Sequence, residues 1–377
     1  MRGLLKDEPA ISLGGGNGTS QFLYIRGMGQ NSIDVKVDNT YSDSQIHYHQ
    51  GRHMLDPALV GTVTVQKGAG SASAGIGQTN GAIIAKTVDA LDLLKNSDKN
   101  FGAKLGTGIS TNHAHNFNAA VYGKGEIFDV LVSGSLVRDR NYKGGKDYVN
   151  HFGTNRVPYS ALDKSSFLAK LGATLGDHRF VLSHSNERHE GERLVREEFD
   201  TAPVGTPNNR VTLDRQAPAN RRMTVQRTNL EWTGKNLGFA QEATANVYQL
   251  VQGRWSENDK GNGYAGGIDG PTKLKTVTHG ANVNFDSAVH ENVLLKYGVN
   301  YRHQEVKPHV KLNPNVVNQE KTDTGLYVEA ITAPMDKVTF TTGVRYDHFD
   351  FKAMDGKNVA MVLLIQVWVL FMSQSNT

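Results

Sequence analysis

The chain has 377 residues, enough for two domains, with 38% hydrophobic residues, 40 glycines and 10 prolines. It has no cysteine, which excludes disulfide scaffolds, thiolate metal sites and cysteine nucleophiles. The formal net charge is +4, from 41 basic and 37 acidic residues whose signs interleave along the chain. A nucleic-acid binder gathers its cations on one face, so that class is not expected.

The first stretch, MRGLLKDEPAISLGGG, lacks the apolar run of a secretory signal, and acids arrive at Asp7 and Glu8. From Thr19 to Leu94 the chain is Gly-rich and holds short apolar strands, predicted at Phe22–Ile25, Ile33–Val37, Gly61–Gln66 and Ala82–Thr87. Gly, Asn and Asp occupy the turns between them, as left-handed or tight backbone requires. Residues 1–95 therefore read as a small α+β domain with a short mixed sheet. The glycine clusters at Gly14–Gly18 and Gly68–Gly75 lack a following GK[ST] and open no helix, so they read as turns rather than phosphate loops.

From Phe101 onward the pattern changes to sustained period-two alternation. Phe167, Ala169, Leu171, Ala173 and Leu175 share one face, opposed by Leu168, Lys170, Gly172 and Thr174. The same alternation recurs around Val277–Phe285, Val293–Tyr301 and Val338–Tyr346. Connections alternate in length. Short ones fall at 124–127, 176–178, 234–239, 287–292 and 334–337, and long ones at 140–164, 191–223, 256–273 and 307–321. A transmembrane β-barrel has this rhythm, with tight turns at one rim and long loops at the other. Residues 100–352 are predicted to hold about eleven such strands. The basic run Asn220-Arg221-Arg222 is expected in a solvated long loop. After about residue 352 the alternation stops. Residues 358–377 read as an apolar tail outside the barrel pattern, consistent with a change of reading frame near Asn358. No stretch approaches the length of a membrane-spanning helix, the longest apolar run being Met361–Met372, broken by Gln366.

FLYIRGMGQNSIDVKVDN, followed by LDPALVGTVTVQKGAGSASAGIGQTNGAIIAKT, resembles the plug domain of TonB-dependent outer-membrane receptors, and within that family it is similar to the ferric-siderophore receptors of the ferric enterobactin type. The resemblance implies an all-β-dominated fold: a plug, then the first half of a 22-stranded antiparallel transmembrane barrel. It implies uptake of a ferric siderophore, catecholate and enterobactin-like, as transported ligand. The TonB complex and outer-membrane lipid would be partners, with no cofactor bound by the protein and no enzymatic activity. Against the family pattern the chain reads as truncated at both ends, without signal peptide or TonB box, and so as a fragment expected to lack transport activity. A plug-like binding module, or a surface protein without transport activity, is the alternative.

Tyr41, Gln45, His47, Tyr48, His49 and Arg52 form a polar-aromatic segment that could stack on and hydrogen-bond a ferric chelate, with His53 beside it. The resemblance places it at the plug apex. It also implies a lock between plug arginines, Arg26 and Arg52, and a barrel glutamate, Glu329. His113, His115, His178, His184 and His189 read as surface or lumen residues. No Ser/His/Asp set, carboxylate pair or metal-ligand cluster stands out.

Overall fold

A computed structural model of the chain describes all residues except 1, 18–19, 30–32, 43–53, 68–71, 74, 76–80, 151, 195–211, 213–217, 259–269, 309–317, 336–337, 354–357 and 374–377. At 2–3, 14–17, 20–22, 42, 308, 353 and 358–373 it describes the backbone alone.

The N-terminal domain begins with a short helix α1 (Arg2–Leu5) and an antiparallel sheet of β1 (Ile11–Asn17), β2 (Ser20–Ile25) and β3 (Met28–Gly29). A second sheet contains β4 (Ile33–Val37), β5 (Thr40–Ser42), β6 (Val60–Lys67) and β7 (Gly81–Thr87), in the order β5-β4-β7-β6. The β4–β7 pair is parallel and the others antiparallel, so the sheet is mixed, as expected. Its strands carry side chains of both sheets' inner faces into one core of Leu5, Leu23, Ile25, Ile33, Val35, Val37, Leu55, Ile83 and Ala85. Asp56 caps a 3-10 turn at Pro57–Leu59 by accepting from Ala58 N at 2.8 Å. Asp89 caps helix α2 (Ala90–Leu94) by accepting from Leu91 N at 3.0 Å.

Among the described residues the rest of the chain forms one antiparallel meander of twelve strands. In order these are β8 (Phe101–Ile109), β9 (His115–Lys124), β10 (Phe128–Asp139), β11 (Leu162–Leu175), β12 (His178–Arg193) and β13 (Ala219–Lys235). Then come β14 (Glu242–Ser256), β15 (Thr272–His290), β16 (Val293–Pro308), β17 (Gln319–Met335), β18 (Val338–Ala353) and β19 (Asn358–Ser373). Each pairs only with its sequence neighbours, and β8 and β19 form the two edges.

Two expectations are corrected here. The strands run several residues further into the long connections than the apolar alternation suggested. Arg221 and Arg222, expected in a loop, lie within β13 opposite Ser256 and Trp255. Backbone ladder bonds do not need an apolar face, so pairing continues above the belt where the apolar signal has ended. The second correction concerns the tail. Residues 358–373 do not stand outside the sheet: β19 pairs with β18 from Val338↔Ser373 to Lys352↔Asn358, making twelve strands rather than eleven. The tail keeps high β-propensity, and the unpaired edge of β18 offers it a full ladder.

The two faces of the meander differ in the way a membrane barrel demands. One transverse row reads Trp232, Ala245, Val283, Val299, Leu326, Tyr346 across β13 to β18. Val299 is 44% and Leu326 48% exposed. Their sequence neighbours point the other way and are buried: Asn282, Asn300, Arg345 and Asp347 are 0–2% exposed. The buried polar face is turned to the N-terminal domain, which it touches from strands β10, β11, β14 and β18 among others. A single small domain reached from so many strands must lie in the concavity of a curved sheet. No helix among the described residues is long and apolar enough to cross a membrane.

Candidate plug–wall interface

The interface is built outward from one turn. Val37-Asp38-Asn39-Thr40 joins β4 to β5, with φ of 48° at Asp38 and 57° at Asn39. Positive φ at both central positions is the hairpin turn whose twist matches the flanking strands, and Asp and Asn tolerate it better than most residues. Thr40 Oγ1 donates to Val37 O at 2.6 Å and closes it. Asp38 Oδ1 accepts from Thr87 N at 2.9 Å, tying the turn to β7.

This leaves the turn's two carbonyls pointing at the wall, where a row of amides receives them. Asn229 Nδ2 donates to Asp38 O at 2.9 Å. Asn246 and Asn282 donate to Asn39 O at 3.2 and 2.8 Å. The amides also bond one another. Asn246 donates to Asn229 Oδ1 at 2.8 Å, Asn282 to Asn246 Oδ1 at 2.9 Å and Asn300 to Asn282 Oδ1 at 3.1 Å. Asn246, Asn282 and Asn300 are directly opposed across β14, β15 and β16, so strand register alone makes the ladder. Lys170 adds a cation 3.7 Å from Asp38 Oδ2 and donates to Thr87 O at 3.2 Å, while the Asn39 amide donates to Glu231.

The ladder ends on Arg345, whose Nη2 donates to Asn300 Oδ1 at 3.1 Å and whose Nη1 donates to Ala72 O of the N-terminal domain at 3.1 Å. Its Nε lies 2.8 Å from Asp347 Oδ1, and neither residue is exposed. Gly325 makes this possible, since a Cβ there would stand 2.0 Å from Arg345 Nη2. Nearer the rim of short connections, Arg179 Nη1 donates to Asp129 Oδ2 at 2.6 Å. Its Nη2 donates to Asp89 Oδ2 at 3.1 Å, so a wall arginine grips the cap of α2. Apolar contacts complete the seat: Leu59 and Ala90 pack with Leu131 and Leu168, and Met54 with Met223, Val225, Leu250 and Leu274.

Among the residues singled out in the sequence, Tyr41 is not at an apex. It is 1% exposed, with Lys36 Nζ 4.9 Å and the Arg302 guanidinium 5.8 Å from its ring centroid. A phenol there cannot reach a ligand outside, because β5 places it on the buried face of the small sheet. Burial also pushes its hydroxyl pKa up. Burial lowers the Lys36 ammonium to about 8, with Arg345 pushing the same way and Asp34 and Glu231 opposing. Gln45, His47, Tyr48, His49 and Arg52 lie outside the described residues. Arg26 and Glu329 are not brought together. Arg26 sits in the β2–β3 turn at φ 50°, exposed, and no ion pair joins it to Glu329. Glu329 is 3% exposed and faces Ser73, whose hydroxyl is 3.4 Å from its carboxylate. A charge in a turn meets water and needs no lock, which is the physical reason the pairing fails for Arg26. Among the described residues the charges that interlock are Arg179 and Lys170 on the wall with Asp89 and Asp38 on the inserted domain, and Arg345 reaches the plug through Ala72 O.

Between domain and wall near the same rim lies a cavity of about 640 Å³, lined by Lys36, Lys86, Asp286, Lys296 and Glu329 among others. Among the described residues no group of three His, Asp or Glu side chains is placed to hold a metal ion.

A mixed-sheet domain keyed by polar contacts into the buried face of a long-stranded meander, apolar outside, defines a plugged membrane β-barrel. The chain belongs to the TonB-dependent receptor family, whose plug domain model matches residues 1–82 and whose β-barrel model matches residues 174–368. It is similar to the FrpB iron transporter from Neisseria meningitidis (F3-3 variant), at 52% identity and a TM-score of 0.91, covering 100% of this chain and 59% of that one. It is 31% identical over 194 residues to the heme transporter BhuA of Brucella suis, 51% of this chain and 28% of the relative. It is 26% identical over 385 residues to the heme/hemopexin utilization protein C of Haemophilus influenzae, 92% of this chain and 52% of the relative. The chain thus spans between about a quarter and three fifths of the length of these relatives.

Proposed function

We propose that the protein is an outer-membrane receptor that imports iron, driven by the TonB complex acting on the plug. The supporting observation is the 52% identity to an iron transporter across the whole of this chain. The heme transporters among the relatives point to the same element in another chemical form. The catecholate chelate that the plug motifs suggest is a narrower version of this reading and rests on that resemblance alone.

Cargo contact is assigned to Gln45, His47, Tyr48, His49 and Arg52. Phenol, imidazole and amide groups suit a ferric ion or the edge of its chelate, and Arg52 offsets carboxylate or catecholate charge. The plug is held by many separate polar contacts rather than one large apolar seam. Each is worth roughly 0.5–1.5 kcal/mol, so a pulling force can release them in sequence.

Uptake of radiolabelled iron tests the reading in cells producing the receptor, with TonB present or deleted. Iron is offered as ferric citrate, as heme and as a ferric catecholate. TonB-dependent accumulation from at least one source is expected, and the source identifies the cargo. No TonB-dependent accumulation from any of the three would overturn the proposal.

A further inference from the structure

The cavity between plug and wall holds charges that seating the plug does not use. Ile33, Val35 and Val37 of β4 enter the core, so the alternation turns Asp34 and Lys36 toward the wall. Ile84 stands beside Lys36 across the parallel β4–β7 pair, and Lys86, two residues further along β7, shares that face. The wall answers with one transverse row, Glu242, Asp286, Lys296 and Glu329, which strand register sets across β14 to β17. Between the two faces lies the space of about 640 Å³, a size that takes a small molecule.

Some of these charges are matched. Lys296 Nζ donates to Asp286 Oδ2 at 2.6 Å, and Glu329 accepts from Ser73 Oγ at 3.4 Å. Lys67 pairs with Glu8 at 2.8 Å. Others are not. Lys36 is 8% exposed, and its ammonium forms no ion pair or hydrogen bond among the described residues. The Tyr41 ring centroid, 4.9 Å away, offers a π-face without a counter-charge. Lys86 and Glu242 also form no ion pair among the described residues. Gln66 Oε1, on the same lining, is buried and accepts from no donor among them.

A buried ammonium without an anion destabilises the fold, and a ligand that brings an anion relieves it. The acceptors Gln66, Glu242 and Glu329 ask for donors instead. A polyanion is disfavoured, because its further charges would face the two carboxylates. The chemistry that fits both sides has one anionic end and several hydroxyls.

We propose that this cavity binds a sugar acid, with its carboxylate against Lys36 and Lys86 and its hydroxyls donating to Gln66 Oε1, Glu242 and Glu329. Lys86 is exposed, so the ligand enters beside it, at the end of the barrel with the short connections. The inference rests on how the plug is seated and is independent of the cargo.

The test is isothermal titration calorimetry on the purified receptor in detergent, free of iron. The probes are gluconate, hexanoate, which lacks the hydroxyls, sorbitol, which lacks the carboxylate, and inorganic phosphate. Gluconate is expected to bind at least about tenfold more tightly than any of the other three. Lys36→Met should weaken gluconate by about tenfold or more and leave sorbitol unchanged. Lys86→Gln, at an exposed position, gives the same readout should Lys36→Met fold poorly. Gln66→Leu should cost gluconate about threefold to tenfold and hexanoate nothing. No binding of gluconate up to about 10 mM would overturn the proposal. So would hexanoate, sorbitol or phosphate binding as tightly as gluconate, or an undiminished gluconate affinity in the lysine variants.

Discussion

Arg179 is the wall residue whose removal should loosen the plug most cleanly. In Arg179→Met the carboxylate of Asp129, 4% exposed, loses the cation that holds it. Asp89 loses a donor at 3.1 Å and keeps only its cap role on α2. Breaking a buried pair by deleting one partner costs about 3–5 kcal/mol. Arg179 is 22% exposed, so water screens part of the loss and about 2–3 kcal/mol is the better figure here. The chain lacks cysteine, so Ala90→Cys introduces the sole thiol. Ala90 is 1% exposed, adjoins Asp89 and packs against Leu131 and Leu168. A thiol reagent then reports how often this end of the plug lifts from the wall. At 1.4 kcal/mol per tenfold, Arg179→Met should speed labelling by about 30- to 150-fold. Adding Asp129→Asn removes the stranded charge and should recover about half of that in free energy. Labelling within about threefold of the unaltered protein would refute the argument, as would a double variant labelled as fast as Arg179→Met alone.

Other expectations follow from the same interface. Asn246→Leu removes both donors and the acceptor that link Asn39, Asn229 and Asn282, and should cost about 1–3 kcal/mol; a calorimetric midpoint lowered by several degrees in detergent is the readout. Gly325→Val places carbon where the Arg345 guanidinium passes, 2.0 Å from its Nη2 at the Cβ alone. Overpacking of about 1–3 kcal/mol should appear as reduced folded yield on heat-modifiability gels, while Gly145→Ala, in open space, should not change it. Lys36 carries a folded-state pKa of about 8 against an ordinary 10.5. Folding therefore opposes its protonation, and the penalty is present in full below about pH 8 and relieved as pH rises toward 10.5. Lys36→Met should raise the melting midpoint at pH 7, by up to roughly 3 kcal/mol of stability, and the gap to the unaltered protein should shrink by pH 10. A gap that does not narrow would contradict the assignment of that pKa to burial.

The barrel was legible in the sequence because its strands are short-range objects. Alternation of outward Phe167, Leu171 and Leu175 with inward Leu168 and Lys170 requires only the geometry of an extended chain with lipid on one side. The long and short connections then set the direction of the meander. The plug strands were legible for a different local reason: β4 at Ile33–Val37 is bounded by the Asp38-Asn39 pair, whose backbone preference closes a hairpin. Local pattern failed where an apolar signal stopped before the ladder did. The last residues of β12, 191–193, and the first of β13, 219–223, were missed for that reason, and β19 was missed because its apolar residues fall on both faces and show no alternation.

The interface lay beyond that reach. Asn282 and Asn39 are 243 residues apart, and nothing in either neighbourhood announces the other. Their meeting depends on the register of β13 to β15 and on the plug's depth in the concavity, both long-range quantities. Tyr41 shows the same limit from the other side. Its aromatic, polar surroundings in the sequence resemble a binding loop, yet β5 turns it inward between Lys36 and Arg302. The sequence by itself determined the class of this protein, because lipid and backbone chemistry leave only a barrel for such alternation. The tertiary structure decided which charges lock the plug and which face the membrane, because those outcomes depend on which strands lie opposite one another.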